Sequence, residues 1–460
     1  MHDHQSFLPA RSRVSEILSA ETSLGPVLVS GWVRTIRSYK DFAFLELNDG
    51  SCLANLQVVL TPGTRGYDAL ASLATGCSVE VSGEIAASPG KGQKWELAAK
   101  SVSLTGPSSD DYPLQKKRHS DEFLRTIAHL RPRTNKYGAL FRLRSAISLA
   151  IHNFFSERGF CYIHTPVITG SDCEGAGELF SVCTRRPDGG LSSDFFGKEA
   201  YLTVSGQLAV EMFALSLGRV YTFGPTFRAE NSNTARHAAE FWMIEPEMAF
   251  CDLNGDIALA EELLRHLASF VMDKCSEDLS LFSRFIDPEL PATLSNISQN
   301  GFARMSYTEA VGVLSNSKES FDFPVFWGAD LKTEHERYLA ETYCRRPVVV
   351  TDYPATLKPF YMRRNDDEKT VAAMDILVPR VGEIVGGSQR EERYDTLLSA
   401  MQAARMDTAA YSWYLDSRKY GTAPHAGFGL GLERLLMLVT GITNIRDVIA
   451  YPRTPGNLEY

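Results

Sequence analysis

The sequence has no apolar run long enough to span a bilayer, so a membrane-embedded chain is not expected. Its start, Met1-His2-Asp3-His4-Gln5-Ser6, lacks a basic stretch followed by an apolar one, which argues against a secretory leader. None of the 8 cysteines falls in a Cys-x-x-Cys pair, and the 10 histidines form no cluster at ligand spacing. That pattern fits a reduced, cytoplasmic protein with free thiols and argues against a structural zinc site. There is no internal repeat, no low-complexity tract and no Walker A loop. What remains, 44% hydrophobic and 22% charged residues over 460 positions, is globular composition with room for two or three domains. Net charge is −9, yet the first 118 residues carry equal numbers of acids and bases. A neutral module with local basic spots can still hold nucleic acid, because phosphate contacts need a patch and not a global excess.

From residue 27 to 103 the chain reads as five short strands. Val27-Leu28-Val29-Ser30-Gly31-Trp32-Val33-Arg34, Phe42-Ala43-Phe44-Leu45-Glu46-Leu47 and Leu56-Gln57-Val58-Val59-Leu60 are three of them, and 79–85 and 95–104 complete the set. Short strands with Gly/Asn/Asp turns between them suggest a small barrel. The polar, turn-rich run Thr105-Gly106-Pro107-Ser108-Ser109-Asp110-Asp111-Tyr112-Pro113 suggests a linker. A helix is expected over 140–158, ended by Gly159. Beyond it the chain alternates strands and helices without a regular βαβ period, so the class is α+β. The expected division is 1–106, a hinge at 107–135, and a body over 136–460 with an inserted segment near 275–345.

Three segments carry chemistry. In the first, Phe227-Arg228-Ala229-Glu230, the polar loop 231–235, Arg236-His237 and Glu240-Phe241-Trp242-Met243-Ile244-Glu245 read as an antiparallel hairpin. An arginine at the end of its first strand suits a phosphoryl group, whose growing charge a planar fork offsets, and Phe241 could stack on a base. A surface hairpin with an Arg–Glu pair is the plainer alternative. In the second, Gly427-Phe428-Gly429-Leu430-Gly431-Leu432-Glu433-Arg434, alternating glycines let a backbone pass close to a ligand or a sheet. No βαβ unit follows, so a dinucleotide fold is disfavoured. In the third, Gly159-Phe160-Cys161-Tyr162-Ile163-His164-Thr165-Pro166, a helix runs into a strand broken by proline, as at a sheet edge.

Taken in this order, the three segments resemble the signature of class II aminoacyl-tRNA synthetases, and the His-Ile-Gly-His signature of the other class is absent. The barrel resembles the anticodon-binding OB-fold of the aspartyl, asparaginyl and lysyl subgroup. The resemblance implies that Phe44 stacks on the middle anticodon base, that Gln57 hydrogen-bonds it, and that Arg34, Arg37 and Lys40 face backbone phosphates. It implies an OB-fold barrel joined to a catalytic domain with an antiparallel sheet flanked by helices, ATP and Mg2+ as cofactors, and a homodimer. Arg228 and Arg434 are implied as the catalytic pair on the phosphates, with Glu230, His237, Phe241 and Glu383 also at ATP, and Glu383 and Asp375 at Mg2+. Asp375 is implied least well, its spacing to Glu383 being one residue off the aspartyl pattern.

The acceptor pattern resembles the aspartyl/asparaginyl one. Asp172-Cys173-Glu174-Gly175-Ala176-Gly177-Glu178 resembles the loop that closes on the amino acid, with Glu174 toward the ammonium. Ser205-Gly206-Gln207-Leu208 resembles Ser-Pro-Gln-Leu, with Gln207 on the substrate backbone, and Glu245 stands where the family has an acid for the ammonium. Arg390, in Glu383-Ile384-Val385-Gly386-Gly387-Ser388-Gln389-Arg390, is implied for the side chain. Aspartate enzymes place a lysine three residues after the glutamine. Here that position is Val210, followed by Glu211, which favours a carboxamide over a carboxylate. With the endings Asn444-Ile445-Arg446-Asp447-Val448 and Tyr451-Pro452-Arg453-Thr454-Pro455-Gly456, the resemblance is closest to bacterial-type asparaginyl enzymes. It implies ligation of L-asparagine to tRNA(Asn). An aspartyl enzyme, a tRNA-independent paralogue and a non-catalytic RNA-binding protein are the alternatives; the barrel with Phe44 and Gln57, and Arg228, Glu230 and Arg434, argue against the last two.

Overall fold

A computed structural model describes residues 11–90, 92–171 and 178–460. The chain forms two compact units, Met1–Arg142 and Leu143–Tyr460.

In the first unit, β1 (Pro26–Ser38), β2 (Ala43–Asn48), β3 (Leu56–Leu60), β4 (Ser78–Ala87) and β5 (Trp95–Gly106) close into a barrel in the order β1-β2-β3-β5-β4. Alternation decides which side chains fill it. Ala43, Leu45 and Leu47 on β2, and Leu56, Val58 and Leu60 on β3, are fully buried, while Phe44, Glu46, Gln57 and Val59 between them face outward. Burying each branched side chain contributes about 1.5–3 kcal/mol relative to exposure. The closed barrel leaves no sheet edge to pair with another chain.

The boundary between the units falls inside one long helix, α1 (Asn135–Glu157), which Gly159 terminates at φ +74°.

The second unit is built on eight strands. They are β6 (Cys161–Tyr162), β7 (Arg219–Phe227), β8 (Glu240–Ala249), β9 (Ala303–Ser306), β10 (Val348–Pro354), β11 (Thr370–Val378), β12 (Gly382–Gln389) and β13 (His425–Gly431). Their order is β9-β10-β11-β12-β13-β8-β7-β6. The six central strands are antiparallel, and a short parallel strand closes each edge. The β7–β8 pairing runs unbroken from Arg219↔Met248 to Phe227↔Glu240, so the hairpin expected around Arg228 is present. The strand expected to be broken at Pro166 is β6, an edge strand that ends before the proline.

Helix α2 (Gln207–Leu217) packs on β7 and β8. Helix α3 (Leu253–Lys274) packs on β12 and β13 through a stripe of buried Ile257, Ala260, Leu263, Leu264, Leu267 and Val271. Asp252 caps it, its side chain accepting from Gly255 N–H at 2.9 Å. Residues 275–345, which lacked an obvious pattern, contain helices, the edge strand β9, and a one-turn helix α4 (Thr333–Arg337) that runs into a turn of π-helix, Tyr338–Tyr343. Helix α5 (Ser412–Lys419) precedes β13, and α6 (Leu432–Thr440) follows it directly. Among the described residues no helix is long and apolar enough to cross a membrane, and no disulfide joins the described cysteines.

Candidate active site

Strand periodicity builds the site. Residues 241, 243, 245 and 247 share one face of β8, because side chains alternate along a strand. Phe241 and Met243 line a cavity of about 160 Å³ with Arg228, Glu230, His237, Glu383 and Arg434. All six residues expected at ATP therefore meet in one place. Gly429 and Gly431 of β13 form part of its wall, where a Cβ on Gly429 would come within 2.7 Å of Met243 Cε.

Within the cavity, Arg434 donates to the Glu383 carbonyl at 2.9 Å and to its carboxylate at 3.1 Å; both side chains are 37% exposed. The guanidinium over the Phe241 ring is that of Arg228, 5.4 Å from the centroid, and Arg434 is turned to Glu383. His237 Nδ1 lies 2.5 Å from Thr234 Oγ1.

Asp375 and Glu383 approach one another over Gly386. A Cβ built there would lie 3.3 Å from Glu383 Oε1 and 3.4 Å from Asp375 Oδ1. Lys358 donates to both Asp375 oxygens at 2.7 and 2.9 Å. Burial pushes Asp375 above its ordinary range; Lys358 opposes that and the Glu383 charge adds to it. Burial acts the same way on Glu383, but Arg434 and Lys358 outweigh it and hold that carboxyl below its ordinary range. A third acid, Glu336, was not singled out from the sequence. Burial, reinforced by Glu383, lifts it to about 7.

On the same face of β8, deeper in the unit, lies a sealed network. Glu247, two residues beyond the expected Glu245, is fully buried and takes a two-pronged ion pair from Arg390, Nε to Oε1 at 3.0 Å and NH2 to Oε2 at 2.9 Å. Arg390 also donates to Ser388 Oγ at 2.8 Å. Gln207 turns its amide nitrogen onto Glu247 and the Pro246 carbonyl. Glu211 is fully enclosed. Tyr414 and Arg418 of α5 and His425 of β13 meet its two oxygens, at 2.8, 2.5 and 2.6 Å respectively. Burial would raise its pKa, but Arg418 first and His425 second hold it below the ordinary range. Glu245 accepts from Ser205 Oγ and from Gly206 N–H at 3.0 Å. A Cβ on Gly206 would come within 2.4 Å of Thr165 Oγ1, so glycine fits the tight approach at this position.

Two expectations need adjustment. Histidines looked unclustered along the chain, yet the fold brings His425, Glu211 and Glu247 within 4.8 Å of one another. Arg390 and Arg418 pair with the two carboxylates, which already gives them cationic partners. Arg34 does not join Phe44 on the open face of the barrel. The β1–β2 register slips between Val33 and Thr35, so Arg34 is the extra residue of a bulge, which re-aims its side chain onto the Arg133 carbonyl and Asn135 Oδ1. Arg37 is the arginine opposite Phe44. Phe44 belongs to a cluster with Phe42 at 5.1 Å and Tyr39 at 6.0 Å, and Gln57 donates to Glu96 at 3.0 Å. Glu174 lies outside the described residues.

Residues 120–455 match the family described as tRNA synthetases class II (D, K and N), and residues 27–105 match the OB-fold nucleic acid binding domain. The chain belongs to the class II tRNA synthetases. Two similar members of that family are the asparagine–tRNA ligases of Oleidesulfovibrio alaskensis and of a Synechocystis species. Each is 58% identical over 98% of this chain and 100% of the relative. The solved asparaginyl-tRNA synthetase of Pyrococcus horikoshii, complexed with asparaginyl-adenylate, superposes with a TM-score of 0.87 at 31% identity, covering 98% of this chain and 100% of that one. The hairpin and the glycine strand, two of the segments that carried the resemblance, share one sheet.

The residues missed from sequence had a signal in one case only. Glu247 follows Glu245 at strand spacing. Tyr414 and Arg418 are four apart on α5, a spacing that places them on one helix face but does not single them out. His425, Lys358 and Glu336 meet their partners only through the fold.

Proposed function

We propose that this class II synthetase activates L-asparagine with ATP and transfers it to the 3′ end of tRNA(Asn). One observation carries the choice of amino acid. Arg390 and Arg418 each already hold a buried carboxylate, Glu247 and Glu211, and the position where aspartate enzymes put a lysine is the fully buried Val210. A substrate carboxylate would have to share Arg390 with Glu247, whereas a carboxamide oxygen accepts from the same fork without adding charge. Glu211 completes this reading as the acidic side of the pocket. Both its oxygens have partners, so direct acceptance of the amide N–H requires Tyr414 or His425 to yield. Gln207, Glu245 and Glu174 complete the amino-acid set. The names of the relatives and the adenylate complex support the same substrate.

In the first step an asparagine α-carboxylate oxygen attacks the α-phosphorus of ATP, the bond to the bridging oxygen breaks, and pyrophosphate leaves. Arg228 offsets charge at the α-phosphate. Arg434 and His237 hold the γ-phosphate, and adenine packs on Phe241 with Arg434 on its other face. Positioning and electrostatics suffice, so no side-chain base is assigned. In the second step the terminal 3′-hydroxyl of tRNA attacks the activated carbonyl and AMP leaves. Glu383 and Asp375 fit Mg2+: their donors are all oxygen, they converge over Gly386, and a lysine ammonium already sits against one of them. Bound there, Mg2+ would neutralise phosphate charge. We assign the anticodon to the barrel, with Phe44 stacking and Gln57 reading the base edge. We place the protein in the cytoplasm as a homodimer joined along the β6 edge, where Tyr162 is 42% exposed; sedimentation at monomer mass would overturn the dimer.

ATP–pyrophosphate exchange with asparagine, aspartate and lysine in turn, with and without tRNA, tests the substrate. Exchange is expected with asparagine alone; aspartate at comparable efficiency would overturn it.

A further inference from the structure

The strands that carry Asp375 and Glu383 are joined by the tight turn 379–381, and that turn is fastened from outside by residues 275–345. Glu336 on α4 accepts the backbone N–H of Glu383 at 3.0 Å. Gly382, at φ +80°, makes this approach possible, since a Cβ there would lie 2.4 Å from Glu336 Oε2. Glu341, on the π-helical turn after α4, accepts the backbone N–H of Arg380 at 2.5 Å, and Asp287 pairs with the Arg380 guanidinium. At its other end α4 is tied to the loop between β7 and β8, where Arg236 donates to Thr333 Oγ1 at 2.9 Å. One short helix therefore touches both the acid-bearing turn and the phosphate-side loop of the same cavity.

We infer that residues 275–345 are a brace for the metal-binding strand pair, and that Glu336 is a positioning residue that fixes Glu383 through its backbone. This rests on the reading of Glu383 as a Mg2+ ligand. A carboxylate on the ligand's own N–H sets where its side chain starts, so losing it loosens the first metal contact without removing any ligand. The segment then has a task in the activation step, and its contribution comes through the strand pair and not through direct contact with substrate.

The test compares Glu336→Ala, Glu336→Gln and Glu383→Gln. Equilibrium Mn2+ binding is read by electron paramagnetic resonance with a non-hydrolysable ATP analogue, alongside Mg2+ dependence of exchange and thermal melting. Glu336→Ala is expected to weaken Mn2+ by about tenfold, to lower kcat with KM for asparagine unchanged, and to melt near the parent. Glu336→Gln should recover most of the loss, because its amide oxygen still accepts the Glu383 N–H. Equal loss in both Glu336 variants would mean that the negative charge acts directly and would overturn the brace. Unchanged Mn2+ binding in Glu336→Ala would overturn it too. Unchanged binding in Glu383→Gln would remove the metal site itself, a failure distinguishable from the other two.

Discussion

Two charge clusters stand on the same sheet and are built in opposite ways. Around Glu211 and Glu247, two guanidiniums meet two carboxylates in a space closed to solvent; Tyr414 and Gln207 donate to the carboxylates, and Ser388 accepts from Arg390. Glu383 lines a half-open cavity with Arg228, Arg236 and Arg434, and has Asp375, Glu336 and Lys358 as charged neighbours. The closed cluster has no charge left to neutralise, which suits discrimination between two side chains that differ by one charge. The open one holds two carboxyls, Asp375 and Glu383, side by side over Gly386, which suits a ligand that arrives with its own cation. Breaking the first should therefore cost stability, and breaking the second should cost turnover.

The largest effect is expected from Arg418→Met, which strands Glu211 in the closed cluster. It should lose about 3–5 kcal/mol in denaturant unfolding. A loss near zero would mean that the ion pairs do not hold this part of the unit. Arg228→Ala lies on the open side and should cut asparagine-dependent exchange by about 10²–10³ while melting close to the parent; a large drop in melting temperature would erase the distinction. Glu211→Gln tests whether the closed cluster also selects. The preference for asparagine over aspartate, measured by exchange, should fall, and an unchanged ratio would leave Glu211 a purely structural acid. Val210→Lys is a poor probe of the same choice, since Val210 is fully buried and the change should unfold the unit before it alters selectivity.

The smallest effect concerns Asp256, just behind the closed cluster. It is fully buried, and neither of its oxygens has a hydrogen-bond partner. Burial chiefly holds its pKa well above the ordinary value, with Arg390 opposing and Glu247 adding. A raised acid binds its proton more tightly folded than unfolded, so stability falls as pH rises through and above the unfolded value. Asp256→Asn should thus stabilise by about 1–3 kcal/mol at neutral pH, and the gain should vanish below the unfolded pKa. A gain independent of pH would disprove the charge explanation.

Much of this was legible in the sequence. The barrel strands and the β7–β8 hairpin follow from alternation and turn residues, and the six residues that meet in the cavity sit on segments whose order is itself informative. Arg34 was expected at the phosphates from the resemblance alone; the bulge that turns it onto Arg133 and Asn135 adds one residue to β1 without disturbing its composition, so no local pattern reports it. Residues 275–345 looked patternless although they hold helices at Ser276–Phe285, Leu290–Gln299 and Tyr307–Ser315; the pieces that reach the site are the short ones, α4 with a single turn and β9 with four residues. The closed cluster was half visible. Glu211 and Arg390 belong to recognisable segments, but Arg418 and His425 reach Glu211 across more than two hundred residues of chain, and no local pattern reports that.

The first glycine of β13 has a consequence of its own. Gly427 has no side chain because the Glu247 carboxylate occupies that space; a Cβ would lie 2.1 Å from Oε2. Gly429 and Gly431, on the same face, leave room for the cavity lined by Arg228 and Arg434 instead. The strand therefore serves as a ruler, its two ends about 13 Å apart at the usual rise per residue. The gap between the group proposed to choose the amino acid and the groups proposed to grip the phosphates is written into the backbone, and side-chain motion cannot stretch it.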